Sequence, residues 1–351
     1  MQSVRVGLIG AGAIAPAHCQ GLLKHPKAEL VAVADANKER ARALQKDFAI
    51  PRLYTRVDDL LLDPDVDAVT IALPTWLHAA SATMALEAGK HVLLEKPFAM
   101  NREEARAVLD TAKKARRVFT VGMNQRFARD SQIVRALVER GDLGDVYHAK
   151  AYWNRRSGTP RFGTWFCDKK KSGGGSLLDV GVHMLDLCLS LLGNFRPVTV
   201  SGSVYTKFGN RGLGEGGWGK SEAGRRIFNV DDLAAAFIRL RGGATVLLEA
   251  SWARHQSEPD RSNVELFGTA AGATVYPARL YRWGRSKSEY EIVEPQGVKI
   301  RHQDCDRMVN WIAAILGDEE LECTAEQALT VQRVVDAVYE SARTGHEVRI
   351  R

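Results

Sequence analysis

Short runs of β-branched and aliphatic residues alternate with amphipathic stretches along the first third of the chain. Val4 to Ile9, Leu30 to Ala34, Ala68 to Leu73, Val92 to Glu95 and Val118 to Gly122 predict strands, and Lys38 to Phe48, Leu77 to Ala88 and Arg102 to Ala115 predict helices. Strands alternating with helices predict crossover connections and a doubly wound parallel sheet covered on both faces. Beyond residue 145 the pattern changes. One helical segment, Ser176 to Leu192, precedes the strand candidates Val198 to Tyr205, Leu233 to Leu240, Thr245 to Ala250 and Val264 to Phe267. With no helices between them, these predict a large, mostly antiparallel sheet in an α+β second domain. The chain closes with Asp306 to Leu316 and a helix from Ala325 to Ala342, opened by Thr324 and Gln327 at capping-box spacing and stopped by Gly345.

A length of 351 residues fits two domains, divided as 1–124 and 125–351, with the C-terminal helix returning toward the first. Hydrophobic residues at 45% and charged residues at 26% argue against disorder and against a membrane protein. The net charge of +7 raises the question of nucleic acid, but only Lys169-Lys170-Lys171 forms a basic run and no nucleic-acid-binding motif appears. The five cysteines, Cys19, Cys167, Cys188, Cys305 and Cys323, have neither CxxC nor metal-ligand spacing, so reduced thiols in a cytoplasmic protein are expected and no metal site is. The apolar stretch Leu177 to Leu192 is broken by Asp179, His183 and Asp186, so no membrane span is expected.

Gly10-Ala11-Gly12-Ala13-Ile14-Ala15 follows the first strand and opens a helix. In that context a GxGxxA pattern predicts a dinucleotide site. Gly10 permits a tight turn, Gly12 admits a pyrophosphate, and the helix N-terminus offers N–H groups to the anion. Asp35 ends the next strand, where an acid binds the adenosine ribose hydroxyls. Its charge disfavours a 2′-phosphate and favours NAD, while Lys38 and Arg40 stand near enough in sequence to keep NADP open. Leu73-Pro74-Thr75 and His78 lie at the carboxyl end of another strand, where cofactor contacts are expected; His78 alone reads equally as an ordinary surface histidine.

Glu95-Lys96-Pro97 terminates the strand beginning at Val92, which brings Lys96 to the same edge, and Pro97 restricts the backbone before it and admits a cis peptide. In the second domain Ser172-Gly173-Gly174-Gly175-Ser176 leads into a segment where Asp179, His183 and Asp186 share a helix face. A carboxylate beside an imidazole suits a general base near neutral pH; a capped helix with a core histidine is the competing explanation.

Together the GxGxxA, Glu95-Lys96-Pro97, Gly122-Met123-Asn124-Gln125-Arg126-Phe127, and Gly173-Gly174-Gly175 followed by Asp179, Gly181 and His183 resemble the Gfo/Idh/MocA oxidoreductases, over most of the chain. The resemblance implies a Rossmann domain, an antiparallel-sheet domain, nicotinamide at their interface, and a homodimer or homotetramer formed through the second sheet. It also implies Lys96, Asp179 and His183 as catalytic residues. Gly10, Gly12, Ala13, Ile14, Asp35, Leu73, Pro74, Thr75, His78, Glu95, Lys96, Pro97 and Asn124 are then expected at the cofactor, and Lys96, Arg126, Arg156, Trp165, Asp179 and His183 at the substrate.

The cluster Trp153, Arg155, Arg156, Arg161, Phe162, Trp165 and Phe166 suits a sugar ring, with aromatic faces for C–H groups and arginines for hydroxyls. Tryptophans in a core or an oligomer interface account for it equally. Gly209 to Gly224 holds seven glycines and reads as a loop, either a plain excursion or a lid or arm. The expected function is hydride transfer between a secondary alcohol of a sugar, polyol or inositol-like substrate and NAD(P). A redox-neutral NAD-dependent glycosidase or epimerase, and a non-enzymatic nucleotide sensor, are the alternatives.

Overall fold

The first strand, β1 (Val4–Ile9), has Val4, Val6, Leu8 and Ile9 fully buried, as a central parallel strand covered on both faces requires. This computed structural model describes residues 2–218, 227–284, 286, 288–302 and 306–350. They fall into two units, Met1–Met123 with Asp304–Leu329, and Asn124–Gln303 with Thr330–Arg351.

In the first unit β1 is followed by β2 (Ala28–Ala34), β3 (Arg52–Tyr54), β4 (Ala68–Ile71), β5 (His91–Leu94) and β6 (Phe119–Val121). All pair in parallel in the order β3-β2-β1-β4-β5-β6. The order reverses between β1 and β4, and ligands of such sheets bind outside the strand ends at that reversal. The helix Arg307–Leu316, capped by Asp306, packs Met308, Trp311 and Ile312 into one core with Ala15, Cys19 and Leu22 of the helix Ala15–Leu22.

The second unit holds β7 (Val146–Arg155), β8 (Pro197–Tyr205), β9 (Leu233–Leu240), β10 (Thr245–Ser251), β11 (Asp260–Gly268), β12 (Gly272–Thr274), β13 (Arg279–Trp283), β14 (Tyr290–Val293) and β15 (Val348–Arg349). They form a nine-stranded sheet in the order β14-β13-β12-β11-β7-β10-β9-β8-β15, antiparallel throughout except for β7 beside β10. Against it lies the helix Val182–Leu191, whose Leu185, Leu187, Cys188 and Leu189 are buried.

The run Lys169–Leu191 is 23 residues long and apolar enough to cross a membrane, which corrects the expectation that no segment reaches that length. Of its most apolar window 89% is buried inside the fold, the environment of a core helix. Cys19, Cys167, Cys188 and Cys323 are buried free thiols, and Cys305 lies outside the described residues.

Candidate active site

The turn after β1 is dictated by glycine. Gly10 has φ +99, and a Cβ there would sit 2.5 Å from the Ala72 carbonyl oxygen. A Cβ at Gly12 would meet nothing within 4 Å, so the turn is open on that side, and Ala13 and Ile14 are exposed at the start of the helix Ala15–Leu22. Asp35, directly after β2, accepts the Ala11 N–H (2.7 Å) and the Asn37 N–H (2.7 Å), so the backbone of the turn itself orients this carboxylate. An open glycine turn, a helix N-terminus and an acid fixed beside them fit a dinucleotide.

Leu73 and Pro74 are half-buried and Thr75 is buried. His78 is buried with Nδ1 2.7 Å from the Pro97 carbonyl oxygen and Nε2 2.8 Å from that of Leu73. Burial lowers its proton affinity despite these two carbonyls. Its ring thus braces the loops after β4 and β5 against each other, from inside.

Glu95 follows β5, with its N–H donated to the Ile71 carbonyl (2.9 Å), and the Lys96–Pro97 peptide is cis. The Glu95 carboxylate turns inward. Oε1 lies 2.6 Å from Arg307 Nη2 and 2.9 Å from His18 Nε2, and Oε2 accepts the Lys96 N–H (3.1 Å). Burial alone would push its pKa up, but Arg307, His18 and Lys96 outweigh that and hold it well below the usual carboxylate range. Burial pushes His18 down against the pull of Glu95, so a neutral imidazole donates to an ionised carboxylate.

In the second unit Asp179 occupies a π turn, Leu177–Gly181, and His183, 8% exposed, begins the regular helix after it. Single π turns recur at functional sites, because the wider turn re-aims a side chain. Asp179 Oδ2 accepts the indole N–H of the fully buried Trp252 (2.9 Å), and the Trp153 ring lies 5.9 Å from that of His183. The Arg155 guanidinium stands 4.7 Å from the Trp153 centroid. Asp186, read onto the same face, is fully buried and paired with Arg126 at 2.7 and 2.5 Å. Arg126, 2% exposed, therefore anchors the helix through Asp186.

The segment is clamped from below by Asp231. Its Oδ1 accepts the Gly175 N–H (2.8 Å) and the Tyr339 hydroxyl (2.7 Å), and its Oδ2 accepts the Ser176 hydroxyl (2.9 Å) and the Leu177 N–H (2.9 Å). Any Cβ at Gly175 would collide with the Asp231 carbonyl, which explains the last glycine of the triplet. Asp232 gathers the N–H groups of Lys207, Phe208 and Gly209 at 2.8, 2.6 and 3.0 Å.

Trp165 stacks on Phe166 (3.7 Å), Phe166 meets Trp218 edge-on (5.0 Å), and Arg156 is exposed beside the Ser257 carbonyl (3.3 Å). Asn124 is exposed at the start of the short turn Asn124–Phe127. Of the glycine-rich loop, residues 219–224, including Lys220, lie outside the described residues. Among the described residues no group of three His, Cys, Asp or Glu is placed to hold a metal. Trp252, Asp231, His18 and Arg307 escaped the sequence reading. The Asp231-Asp232 pair before a strand was the one local signal; the other three act through partners distant in sequence.

Residues 4–123 match the family model described as "Oxidoreductase family, NAD-binding Rossmann fold", and residues 131–274 match that of the "GFO/IDH/MocA C-terminal domain". The chain is 33% identical over 350 residues to the D-glucoside 3-dehydrogenase of Escherichia coli, covering 99% of this chain and 97% of that protein. It is 30% identical over 273 residues to the levoglucosan dehydrogenase of Pseudarthrobacter phenanthrenivorans, covering 73% and 69%. Among solved structures, an oxidoreductase domain protein from Kribbella flavida matches with TM-score 0.86 at 26% identity over all of both chains. A levoglucosan dehydrogenase in complex with NADH and levoglucosan shares the fold, with TM-score 0.86 at 23% identity over 99% of this chain and 100% of that one. The chain belongs to the Gfo/Idh/MocA oxidoreductases, and its N-terminal domain is their NAD-binding Rossmann fold.

Proposed function

We propose that this protein is a cytoplasmic dehydrogenase that oxidises a secondary alcohol of a sugar, glycoside or polyol with NAD. The observation that carries the reading is that Asp179 and His183 lie on one segment clamped by Asp231, with Trp252 bonded to the first and Trp153 beside the second. Residues 1–124 serve the dinucleotide and residues 125–351 the substrate. Gly10, Gly12, Ala13 and Ile14 hold the pyrophosphate and Asp35 the ribose, with Leu73, Pro74, Thr75, Lys96, Pro97 and Asn124 at the nicotinamide end. Glu95 and His78 support these contacts from beneath. NADP is the weaker cofactor because Asp35 opposes a 2′-phosphate.

Bound there, NAD supplies the hydride acceptor. Alcohol oxidation must also remove the hydroxyl proton, and His183 takes it as general base, oriented by the Asp179 side. The Lys96 ammonium hydrogen-bonds the same oxygen and stabilises the negative charge that develops on it. Trp165 and Arg156 complete the sugar contacts, an aromatic face for C–H groups and a guanidinium for hydroxyls. The D-glucosides and levoglucosan for which these relatives are named are the first substrates to try.

Nicotinamide absorbance followed against glucosides, anhydrosugars, aldoses and inositols tests the reading. Lys96→Met should retain NAD affinity and lose at least about 10²-fold in turnover. Full turnover in that variant removes Lys96 from the chemistry, and conversion without net absorbance change would favour the redox-neutral alternative.

The homodimer or homotetramer is proposed through the nine-stranded sheet. Its open face forms a cavity of about 730 Å³ lined by Tyr152, Tyr205, Ala235, Phe237 and Leu247, and Leu247 is 40% exposed. Leu247→Glu should reduce the assembly to smaller species in light scattering without loss of far-UV circular dichroism. An unchanged mass rejects this face.

A further inference from the structure

Over its described part the glycine-rich segment is no free excursion, because residues 214–218 are zipped to residues 157–162. The Thr159 N–H donates to the Gly214 carbonyl (3.0 Å), the Gly216 N–H to that of Thr159 (2.7 Å) and the Arg161 N–H to that of Trp218 (3.1 Å). The Ser157 hydroxyl donates to the Glu215 carbonyl (2.9 Å) and the Phe162 N–H to its carboxylate (2.9 Å). Two of the glycines permit this close approach. A Cβ at Gly216 would lie 2.9 Å from Gly158 Cα, and one at Gly214, where φ is +82, would collide with the Ala253 side chain.

The strap holds Trp218 by its main chain, yet the side chain it delivers is an indole left 50% exposed. Indoles gain most from burial, so a polar residue would serve the strap as well and suit water better. The Trp218 ring meets Phe166 edge-on at 5.0 Å, and Trp165 stacks on Phe166 at 3.7 Å. Phe166 in turn packs on the cluster that holds Val180 and Trp252. Val180 follows Asp179 in the π turn, and Trp252 bonds the Asp179 carboxylate, so this aromatic panel is continuous with the proposed reacting site.

We propose that Trp218 is the wall of a subsite for the aglycone of a glycoside substrate, an apolar ring carried on the anomeric oxygen, which covers the indole when substrate binds. The proposal rests on the reading of Asp179 and His183 as the site of sugar oxidation. A bare sugar presents mostly hydroxyls, which need polar partners; a ring beyond the sugar supplies the apolar face that an exposed indole can take. Such a contact is made equally before and during hydride transfer, so it acts on KM more than on kcat.

Methyl and phenyl β-D-glucoside differ only in the aglycone and so isolate its contribution. With NAD saturating, the parent should use the phenyl glucoside with kcat/KM at least about fivefold higher, mostly through KM. Trp218→Ala should bring that ratio to within about twofold of unity by losing the phenyl compound and sparing the methyl one, and Trp218→Phe should keep an intermediate ratio. Gly216→Val, which forces the strap off Gly158, should behave as Trp218→Ala does although the indole is still in the chain; should it fail to fold, the two Trp218 variants still decide. A parent without preference, a preference kept in Trp218→Ala or in folded Gly216→Val, or equal losses on both glucosides overturns the proposal, and equal losses are what simple packing damage predicts. A change of mass in light scattering with the preference intact would make Trp218 an assembly contact and refute the subsite.

Equilibrium binding keeps this test apart from the activity. Calorimetric titration of the protein with NADH bound should show the same ratio of affinities for the two glucosides and the same loss in Trp218→Ala. If neither glucoside reduces NAD, the dehydrogenase reading fails for glucosides while these affinities still judge the subsite: a ratio unchanged in Trp218→Ala, or no binding of the phenyl compound, counts against it.

Discussion

Trp252 is fully buried among Val180, Val230 and Ala250, yet its one polar atom is spent on Asp179 at 2.9 Å. An indole in an apolar pocket needs a partner for its N–H, and here the partner is a proposed catalytic carboxylate. Each group therefore fixes the other, and the indole limits the rotamers open to Asp179. Trp252→Phe keeps most of the buried ring and deletes the donor. Its stability cost should be about 1 kcal/mol, the worth of one hydrogen bond, while kcat falls about tenfold with KM changed less than about threefold. A denaturation curve and steady-state kinetics on the same preparation check both. A comparable loss in KM alone would make Trp252 a binding contact and not a device for orienting Asp179.

Elements were legible from the sequence where their residues carried a periodic signal. The helix Arg102–Ala115 and the strands β1 and β9 lie where the hydrophobic pattern puts them, because each buries one regular face or both. Other elements carry no such signal. The three-residue β3 is half-buried at a sheet edge, and β7 mixes Tyr147, Lys150 and Arg155 with Ala149 and Ala151, so its stability comes from pairing with β10 and β11. The candidate site divides in the same way. Gly10, Lys96, Asp179 and His183 announce themselves by motif, whereas the clamp that holds the Asp179 segment is a single carboxylate some 55 residues away in sequence, at Asp231.

That clamp bonds two backbone N–H groups and two hydroxyls at once and is 4% exposed. Asp231→Ala leaves all four donors buried without their acceptor and should cost about 3–5 kcal/mol, with Asp231→Asn losing less because it keeps one carbonyl oxygen. Urea midpoints order the two variants; equal midpoints for Ala and Asn would mean that water replaces the carboxylate, and the clamp would lose its significance.

At the scale of the whole molecule, acid should weaken the fold through its buried imidazoles before its carboxylates titrate. His91 Nδ1 accepts the Val118 N–H at 2.9 Å, which requires a neutral ring, and burial with the nearby Arg117 pushes its pKa down to about 4. His18 and His78 are shifted the same way by burial. A folded pKa below the unfolded one means that the unfolded chain binds more protons in the interval between them, so stability rises with pH there. Full stability from these groups is thus present above about pH 6.5 and is lost progressively as pH falls toward 4, where His91 protonates in the native state as well. The carboxylates held low, Glu95 and Asp67, add their loss at the acid end of that window and beyond, as pH falls through their ordinary values of 4.5 and 3.8. Net charge works in the same direction, since the sequence starts at +7 and gains as many as nine histidine charges. Salt separates the two causes, because it screens repulsion between exposed charges and leaves proton uptake by buried imidazoles largely untouched. The urea midpoint should therefore drop between pH 7 and pH 4.5 by nearly the same amount at 0.05 M and at 0.5 M sodium chloride, and His91→Gln should remove part of the drop. A midpoint that is flat over this range would refute the role of the imidazoles, and a drop abolished by salt would assign the acid sensitivity to surface charge.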